Sequence, residues 1–253
     1  MRYRRKRRKT QRSSIIETRS GYVIVKKNNK HAIFDKDGKQ ISDWFDWIAL
    51  DGLLAGKSNY YLAKENDKWA IFDRDGKMIT KEWYDFIFLD GLVDGESEYY
   101  IVEKNKKYAI FDKDGRQISD WYDWIEKYGL VKGKSDYYFV KDNGKEAVFH
   151  KDLGQVTNWF DRIYAWGLIV YEKDEYYFGC LGENCAIYHK NGKKVSDDFP
   201  LQVIKLTERV NFNHQLGVAE MIDALGKVIH VIEYQPYSLK REEFLDYTKL
   251  LNI

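Results

Sequence analysis

Cysteine is nearly missing: Cys180 and Cys185 are the only two in 253 residues. So sparse a set excludes a disulfide framework as the element that holds the fold together. Proline is as rare, at two residues. No apolar run approaches the roughly 18–20 residues that a membrane helix needs. The basic N-terminus resembles the n-region of a signal peptide, but "SSIIETRSG" after it is too short and too polar to be an apolar h-region. The chain therefore reads as cytoplasmic, with no membrane partner. The marks of common chemistry are missing too. There is no G-x-G-x-x-G or Walker glycine loop, and no Ser or Cys lies in a recognisable nucleophile elbow. The five His fall at variable positions. No catalytic residue, metal or cofactor is implied, and the chain reads as a non-enzyme.

Aromatic residues, by contrast, make up 16% of the chain, with 20 Tyr and 8 Trp. Charge is plentiful and unevenly placed. Residues 1–12 contain Arg2, Arg4, Arg5, Lys6, Arg7, Arg8, Lys9 and Arg12 and no acid. Removing those eight from the 42 Lys and Arg leaves 34 cations against 40 Asp and Glu, a net of −6 for the rest. The protein is an acidic body with a basic arm. Such an arm binds RNA or DNA through phosphate contacts and counterion release, and is commonly disordered until bound. The competing reading is a solubilising tail.

The body repeats. "KHAIFDKDGKQISDWFDWI" (Lys30–Ile48) returns as "KYAIFDKDGRQISDWYDWI" (Lys107–Ile125). Five units begin near Tyr22, Tyr60, Tyr99, Tyr137 and Tyr176, a period of 38–39 residues. A degenerate sixth lies at "EMIDALGKVI" (Glu220–Ile229). Each unit has an aromatic and β-branched run, polar turn residues, a second short run such as "KYAIF", and a D-x-D-G turn. Short β runs joined by Gly-bearing turns are hairpins. "WYDWI" and "GLV" supply a further short extended piece, giving three or four strands per unit. Copies at such a period mean supersecondary units buried against their neighbours. The expected fold is all-β: tandem small antiparallel sheets forming a propeller-like ring or an open β superhelix, closed by a C-terminal helix. The expected domains are a basic arm at 1–20, the β-repeat domain at 21–237 and a capping helix at 238–253. In that helix Phe244, Tyr247, Leu250 and Leu251 share one stripe.

The units resemble those of the bacterial WG (Trp-Gly, or KWG) repeat proteins. The matching pieces are "KWAIFDRDGKMI" (Lys68–Ile79) and "WYDFI" (Trp83–Ile87), and the resemblance covers roughly residues 22–200. The family's Gly is Ala here at Ala32, Ala70, Ala109 and Ala186, and only Trp69 supplies the Trp. The chain is similar to a divergent member. The resemblance implies a β-repeat interaction protein without an assigned chemistry.

Three recurring features invite a functional reading. The D-x-D-G turns offer two carboxylates each, short of the six to eight oxygens of a calcium loop. They read as hairpin turns in which Asp bonds local backbone. Asp46, Asp85, Asp123 and Asp161 recur behind Trp44, Trp83, Trp121 and Trp159 and an intervening aromatic. They read as one structural hydrogen bond per unit rather than a ring of carboxylates, with the four Trp largely buried. Cys180 and Cys185 flank a turn. They read as buried thiols in a reducing compartment, and facing each other across a hairpin they would pair under oxidation. His31, in the slot of Trp69, Tyr108, Glu146 and Cys185, marks a position that accepts nearly any residue.

The function that follows is an interaction scaffold with a protein partner, whose arm contacts nucleic acid or a nucleoprotein. One alternative is an inhibitor or adaptor of a nucleic-acid enzyme, as an anti-defence protein would be. Another is a carbohydrate or peptide binder using exposed Tyr and Trp.

Overall fold

A computed structural model describes residues 14–17, 20–165, 175–205, 209–213, 216, 218–223, 225 and 227–233. The arm residues 1–12 and the expected helix 238–253 lie outside the described residues. The described strands form six small antiparallel sheets. The chain divides into two compact units, 1–140 and 141–253. Among the described residues no helix is long and apolar enough to cross a membrane.

In the first unit, one sheet joins β1 (Ser14–Glu17), β2 (Val23–Lys27) and β3 (Lys30–Phe34). Ser14–Glu17, inside the segment assigned to the arm, thus pair with Val23–Lys26. The next sheet joins β4 (Trp47–Ile48), β5 (Tyr60–Glu65) and β6 (Lys68–Asp73). A third joins β7 (Phe86–Ile87), β8 (Tyr99–Lys104) and β9 (Lys107–Asp112). The strands β10 (Trp124–Ile125) and β11 (Tyr137–Asp142) follow. The second unit contains β12 (Lys145–His150) and β13 (Gly154–Gln155). It also holds the sheet of β14 (Arg162–Tyr164), β15 (Tyr176–Leu181), β16 (Asn184–His189) and β17 (Phe199–Pro200). A short helix α1 (Leu201–Lys205) precedes the sheet of β18 (Arg209–Asn213), β19 (Val218–Ile222) and β20 (Val228–Glu233).

Local chemistry explains each hairpin. The β5–β6 turn has Asn66 and Asp67 at φ 50° and 62°, and the β8–β9 turn has Asn105 and Lys106 at 52° and 62°. Two positive φ values between paired strands make the primed turn whose twist matches a hairpin. Asn tolerates that region better than most side chains. At the next turn Asp73 Oδ1 accepts the N–H groups of Asp75 and Lys77 at 3.0 and 2.9 Å. Asp35 and Asp112 do the same. So does Asp223 of the sixth copy, with Leu225 and Lys227 both at 2.9 Å. Where the fourth and fifth copies have His, Nδ1 of His150 and of His189 accepts the equivalent N–H. The D-x-D-G carboxylate is therefore committed to its own turn.

The units interlock. Trp47 and Ile48 of the first copy pair with Lys64 and Ala63 of the second, completing the second copy's sheet. Phe45, two residues earlier, still bridges back to His31 of its own copy. The same offset recurs at Tyr84 and Phe86. "GLV" is not a strand but part of a turn that packs on the following copy. There Ser58 donates to Val93 O at 2.7 Å, and Ser97 to Val131 O at 2.5 Å. The backbones approach so closely that a Cβ on Gly91, itself at φ 87°, would lie 2.2 Å from Tyr99 O and 2.8 Å from Val131 O. The core sits between successive sheets. One cluster combines Leu62 and Ile71 with Tyr84, Ile87, Val102 and Phe111. Ala32, Ala70 and Ala109, at one position of successive copies, are fully buried.

Two further expectations are corrected. Trp44, Trp83, Trp121 and Trp159 are half-buried. The aromatic after each Trp fills the core instead: Phe45, Tyr84, Tyr122 and Phe160 are 5, 2, 6 and 1% exposed. Strand alternation sends neighbours to opposite faces, so only one of the pair can point inward. The second correction is at the cysteines. Cys180 and Cys185 are directly opposed across β15 and β16, with Cα atoms 4.0 Å apart, and form a buried disulfide.

Candidate functional site

The recurring Asp of the W-[FY]-D triplet ties its own copy to the next hairpin. Asn66 N–H donates to Asp46 Oδ2 at 2.9 Å, Asn105 N–H to Asp85 at 2.7 Å and Gly182 N–H to Asp161 at 2.6 Å. Each Asp also pairs with the lysine that starts its copy's second strand. The pairs are Lys30–Asp46 at 3.1 Å, Lys68–Asp85, Lys107–Asp123 at 2.8 Å and Lys145–Asp161 at 2.6 Å. These partners hold the carboxyls of Asp46, Asp85 and Asp161 below the usual range. The Asn66 amide and then Lys30 act on Asp46; Lys68 and then the Asn105 amide act on Asp85. Each Asp makes one structural contact set per copy, and among the described residues no group of three His, Cys, Asp or Glu is arranged to hold a metal ion.

The aromatics do converge. In the second sheet Trp47, Lys64 and Trp69 stand side by side across three strands. In the third, Phe86, Glu103 and Tyr108 occupy the same places. Directly opposed residues share a sheet face, so the rings align from one copy to the next. Trp47 meets Trp69 edge to face at 5.4 Å, and Trp69 meets Phe86 at 5.8 Å. Phe86 meets Phe88 at 5.2 Å, and Tyr108 meets Trp124 at 5.3 Å. Phe88 closes the chain of rings, 6.1 Å from Tyr108 and 6.4 Å from Trp124. The result is a continuous band of six rings in the first unit. Its outer members stay in water: Trp47, Phe86 and Trp124 are 40, 39 and 40% exposed.

The charges along the band are mixed. Lys64 Nζ lies 5.6 Å from the Trp69 ring centre, within cation–π range. Tyr108 donates its hydroxyl to Glu103 at 3.3 Å. Its pKa is raised, first by burial and then by the Glu103 charge. A water-facing band of Trp, Tyr and Phe with paired charges at its margin is suited to burying an extended partner surface. Trp and Tyr are the residues that most often anchor interfaces.

The slot that reads as permissive along the chain, occupied by His31, Trp69 and Tyr108, supplies two of the six rings. The second Trp of W-F-D-W and of W-Y-D-W, Trp47 and Trp124, supplies two more. The signal is an aromatic three residues after a Trp and directly before a buried Ile (Ile48, Ile87 or Ile125), which strand alternation places on the face opposite that Ile. His31 instead holds Asp46 O through Nδ1 at 3.0 Å. The arm residues Arg2, Arg4, Arg5, Lys6, Arg7, Arg8, Lys9 and Arg12 lie outside the described residues.

No protein-family model matches this chain, and no curated protein does. Solved structures do align with it over most of its length. Kluyveromyces lactis Hsv2 is 12% identical, with a TM-score of 0.35, over 96% of this chain and 79% of that one. A eukaryotic initiation factor is 8% identical, with a TM-score of 0.35, over 91% and 67%. The β-propeller domain of Myceliophteria thermophila Cps50 (Swd1) is 8% identical, with a TM-score of 0.28, over 89% and 87%. Similarity at this level carries nothing about partners or chemistry, and the fold class rests on the chain's own six antiparallel sheets.

Proposed function

We propose that this chain is a non-enzymatic interaction scaffold of the WG-repeat kind, working in the cytoplasm. Its β body offers the aromatic band to a protein partner. Its arm, Arg2 to Arg12, contacts nucleic acid or a nucleoprotein. The observation that carries the scaffold reading is the band itself. Five of its six rings belong to copies two and three or to their shared strands, and three of the six are about two-fifths exposed. Burying a large aromatic side chain is worth about 1.5–3 kcal/mol, so leaving a row of them in water has a cost that a partner would recover. The support for the arm is compositional: eight cations in twelve residues, joined to a body of opposite net charge.

Affinity capture from the native cell tests both halves at once. Three proteins are compared: the intact chain, the chain lacking residues 1–12, and a Trp47→Ser/Trp124→Ser band variant. The expected result is a protein partner that survives nuclease, is kept without the arm and is absent from the band variant. Most of the nucleic acid should be lost with the arm alone. A partner that stays on the band variant refutes the band as the contact surface. Undiminished retention of nucleic acid without the arm refutes the arm reading.

A further inference from the structure

One copy breaks the repeat, and it does so beside a cavity. Between the second and third sheets of the first unit lies a groove of about 430 Å³. Its floor is an aromatic triad, Tyr84, Phe111 and the half-buried Trp121. Three lysines line its walls, Lys81, Lys104 and Lys107, with Glu82 as the acid among them. Asn105 and Gln117 add amide groups.

The same triad occurs one copy earlier as Phe45, Phe72 and Trp83, so the rings alone are architecture. The surroundings differ. At the position of Lys104 the earlier copy has Glu65, and at that of Gln117 it has Met78. Asp43 stands where Glu82 does, Lys68 where Lys107 does, and Lys81 has no counterpart. The earlier set has two acids and one lysine, whereas this groove has three lysines and one acid. It is also wider. The three ring separations are 5.8, 6.4 and 6.2 Å here, against 5.1, 5.9 and 5.9 Å in the earlier triad.

Lys81 is the inserted residue. In other copies a hydroxyl two residues before the Trp accepts a strand N–H, as Ser42 does from Ile33 at 2.8 Å and Ser119 from Ile110 at 2.9 Å. In this copy the hydroxyl belongs to Thr80, three residues before Trp83. Thr80 is 3% exposed, and its Oγ1 is buried without a hydrogen-bond partner. The extra residue has thus removed a bond that the sister copies keep, in a place where an unmade bond is costly. What the insertion adds is an exposed cation that makes no ion pair among the described residues, on the wall of the groove.

We propose that this groove is a binding site for a nucleotide phosphate, the base against Trp121 and the phosphate between Lys81 and Lys104. Aromatic rings accept any base face, and lysines accept phosphate as point charges. Lys104 is held by both carboxylate oxygens of Glu82 at 2.7 and 2.8 Å, so the phosphate competes with Glu82 for it. The site lies in the body and depends on neither the arm nor the aromatic band. It is a local basic exception on a net acidic surface.

Calorimetric titration of the full chain at physiological salt, with adenosine monophosphate and with a short single-stranded oligothymidylate, tests this. Lys104→Glu installs the residue of the earlier copy, and deletion of Lys81 restores that copy's length. Both changes are therefore compatible with the fold, and unchanged circular dichroism verifies that. Each should weaken binding at least about tenfold, the effect of removing one hydrogen bond to a charged group. Glu82→Gln frees Lys104 and should tighten it. The arm contributes equally in every variant, so only differences among them count. A larger loss of affinity for the strand than for the mononucleotide in these variants identifies the source as a nucleic-acid strand; an equal loss identifies a free nucleotide. Wild-type affinity in Lys104→Glu and in the Lys81 deletion overturns the proposal, as does no saturable binding of either probe. Unchanged or weaker binding in Glu82→Gln overturns the role given to Lys104.

Discussion

Replacing Gly179 in β15 with alanine should destabilise the protein, and removing Phe160 should relieve that effect. Gly179 stands where the other copies have Ala63, Val102 and Val140, all fully buried. A Cβ at Gly179 would lie 2.7 Å from Cε1 and Cζ of Phe160 and 3.0 Å from Cδ1. Real Cβ atoms do not come so close, so the ring must shift. It is poorly placed to do so, being 1% exposed and 4.9 Å from Tyr188. Overpacking of this kind costs about 1–3 kcal/mol. The backbone entropy gained by replacing a strand glycine returns only about 0.5–1 kcal/mol. Phe160→Ala alone leaves a cavity and should cost about 3–5 kcal/mol. At roughly 2–4 °C per kcal/mol for a chain of this size, that lowers the melting temperature by about 6–20 °C. In the double variant the new methyl occupies part of the vacated space. Its cost should fall below the sum of the two by about 0.5–3 kcal/mol, the range for residues in contact. Urea unfolding followed by circular dichroism gives the four midpoints. A neutral or stabilising Gly179→Ala, or strict additivity in the double variant, refutes the packing argument.

Alkylation of the native chain without reductant should label neither Cys180 nor Cys185, and reduction should cost about 2 kcal/mol for so short a closed loop; labelling of both thiols under non-reducing conditions refutes the pair. High pH should unfold the protein. Burial raises the pKa of Tyr61, Tyr100, Tyr138 and Tyr177, and pushes that of Tyr84 up to about 12. The unfolded tyrosines ionise first, near pH 10, so stability is complete below that pH and falls as pH rises toward the folded values. Tyrosinate absorbance should then rise together with loss of sheet; a gradual rise with the sheet intact refutes it. Deleting residues 1–12 should leave the melting temperature unchanged and reduce the slope of log affinity against log salt for nucleic acid by about 0.7–0.9 for each phosphate the arm neutralises. An unchanged slope refutes contact by the arm.

The sequence by itself determined whatever is local and repeated. The period, the hairpins, the all-β class and the Asp-bonded D-x-D-G turns were legible because each depends on residues within a few positions of one another. Asp35 reaches only to Lys39, and the two-residue loop at Asn66 needs only its own φ values. Even the single bond expected of Asp46 was readable as a recurring structural contact, though not its partners, Asn66 N–H and Lys30.

Only the tertiary structure decided what depends on the registration of one copy against the next. Both Trp44 and Phe45 are large and apolar, and the choice of Phe45 for the core follows from which face of its strand meets Phe72 of the following sheet. The pairing of Trp47 with Lys64 carries a strand across the sequence boundary between copies, and a sequence unit does not show where its own sheet is completed. Cys180 and Cys185 lie five residues apart in any conformation; the β15–β16 register makes them opposite and so pairs them. Trp69 and Tyr108 occupy a slot that looks permissive along the chain. Edge-to-face contact with rings from neighbouring copies turns that slot into a band. Lys81 is one residue among 253 until the sheets on either side place it against Tyr84, Lys104 and Trp121. Local bonding is encoded residue by residue, whereas a surface is assembled from residues tens of positions apart, and only the packed backbone brings those together.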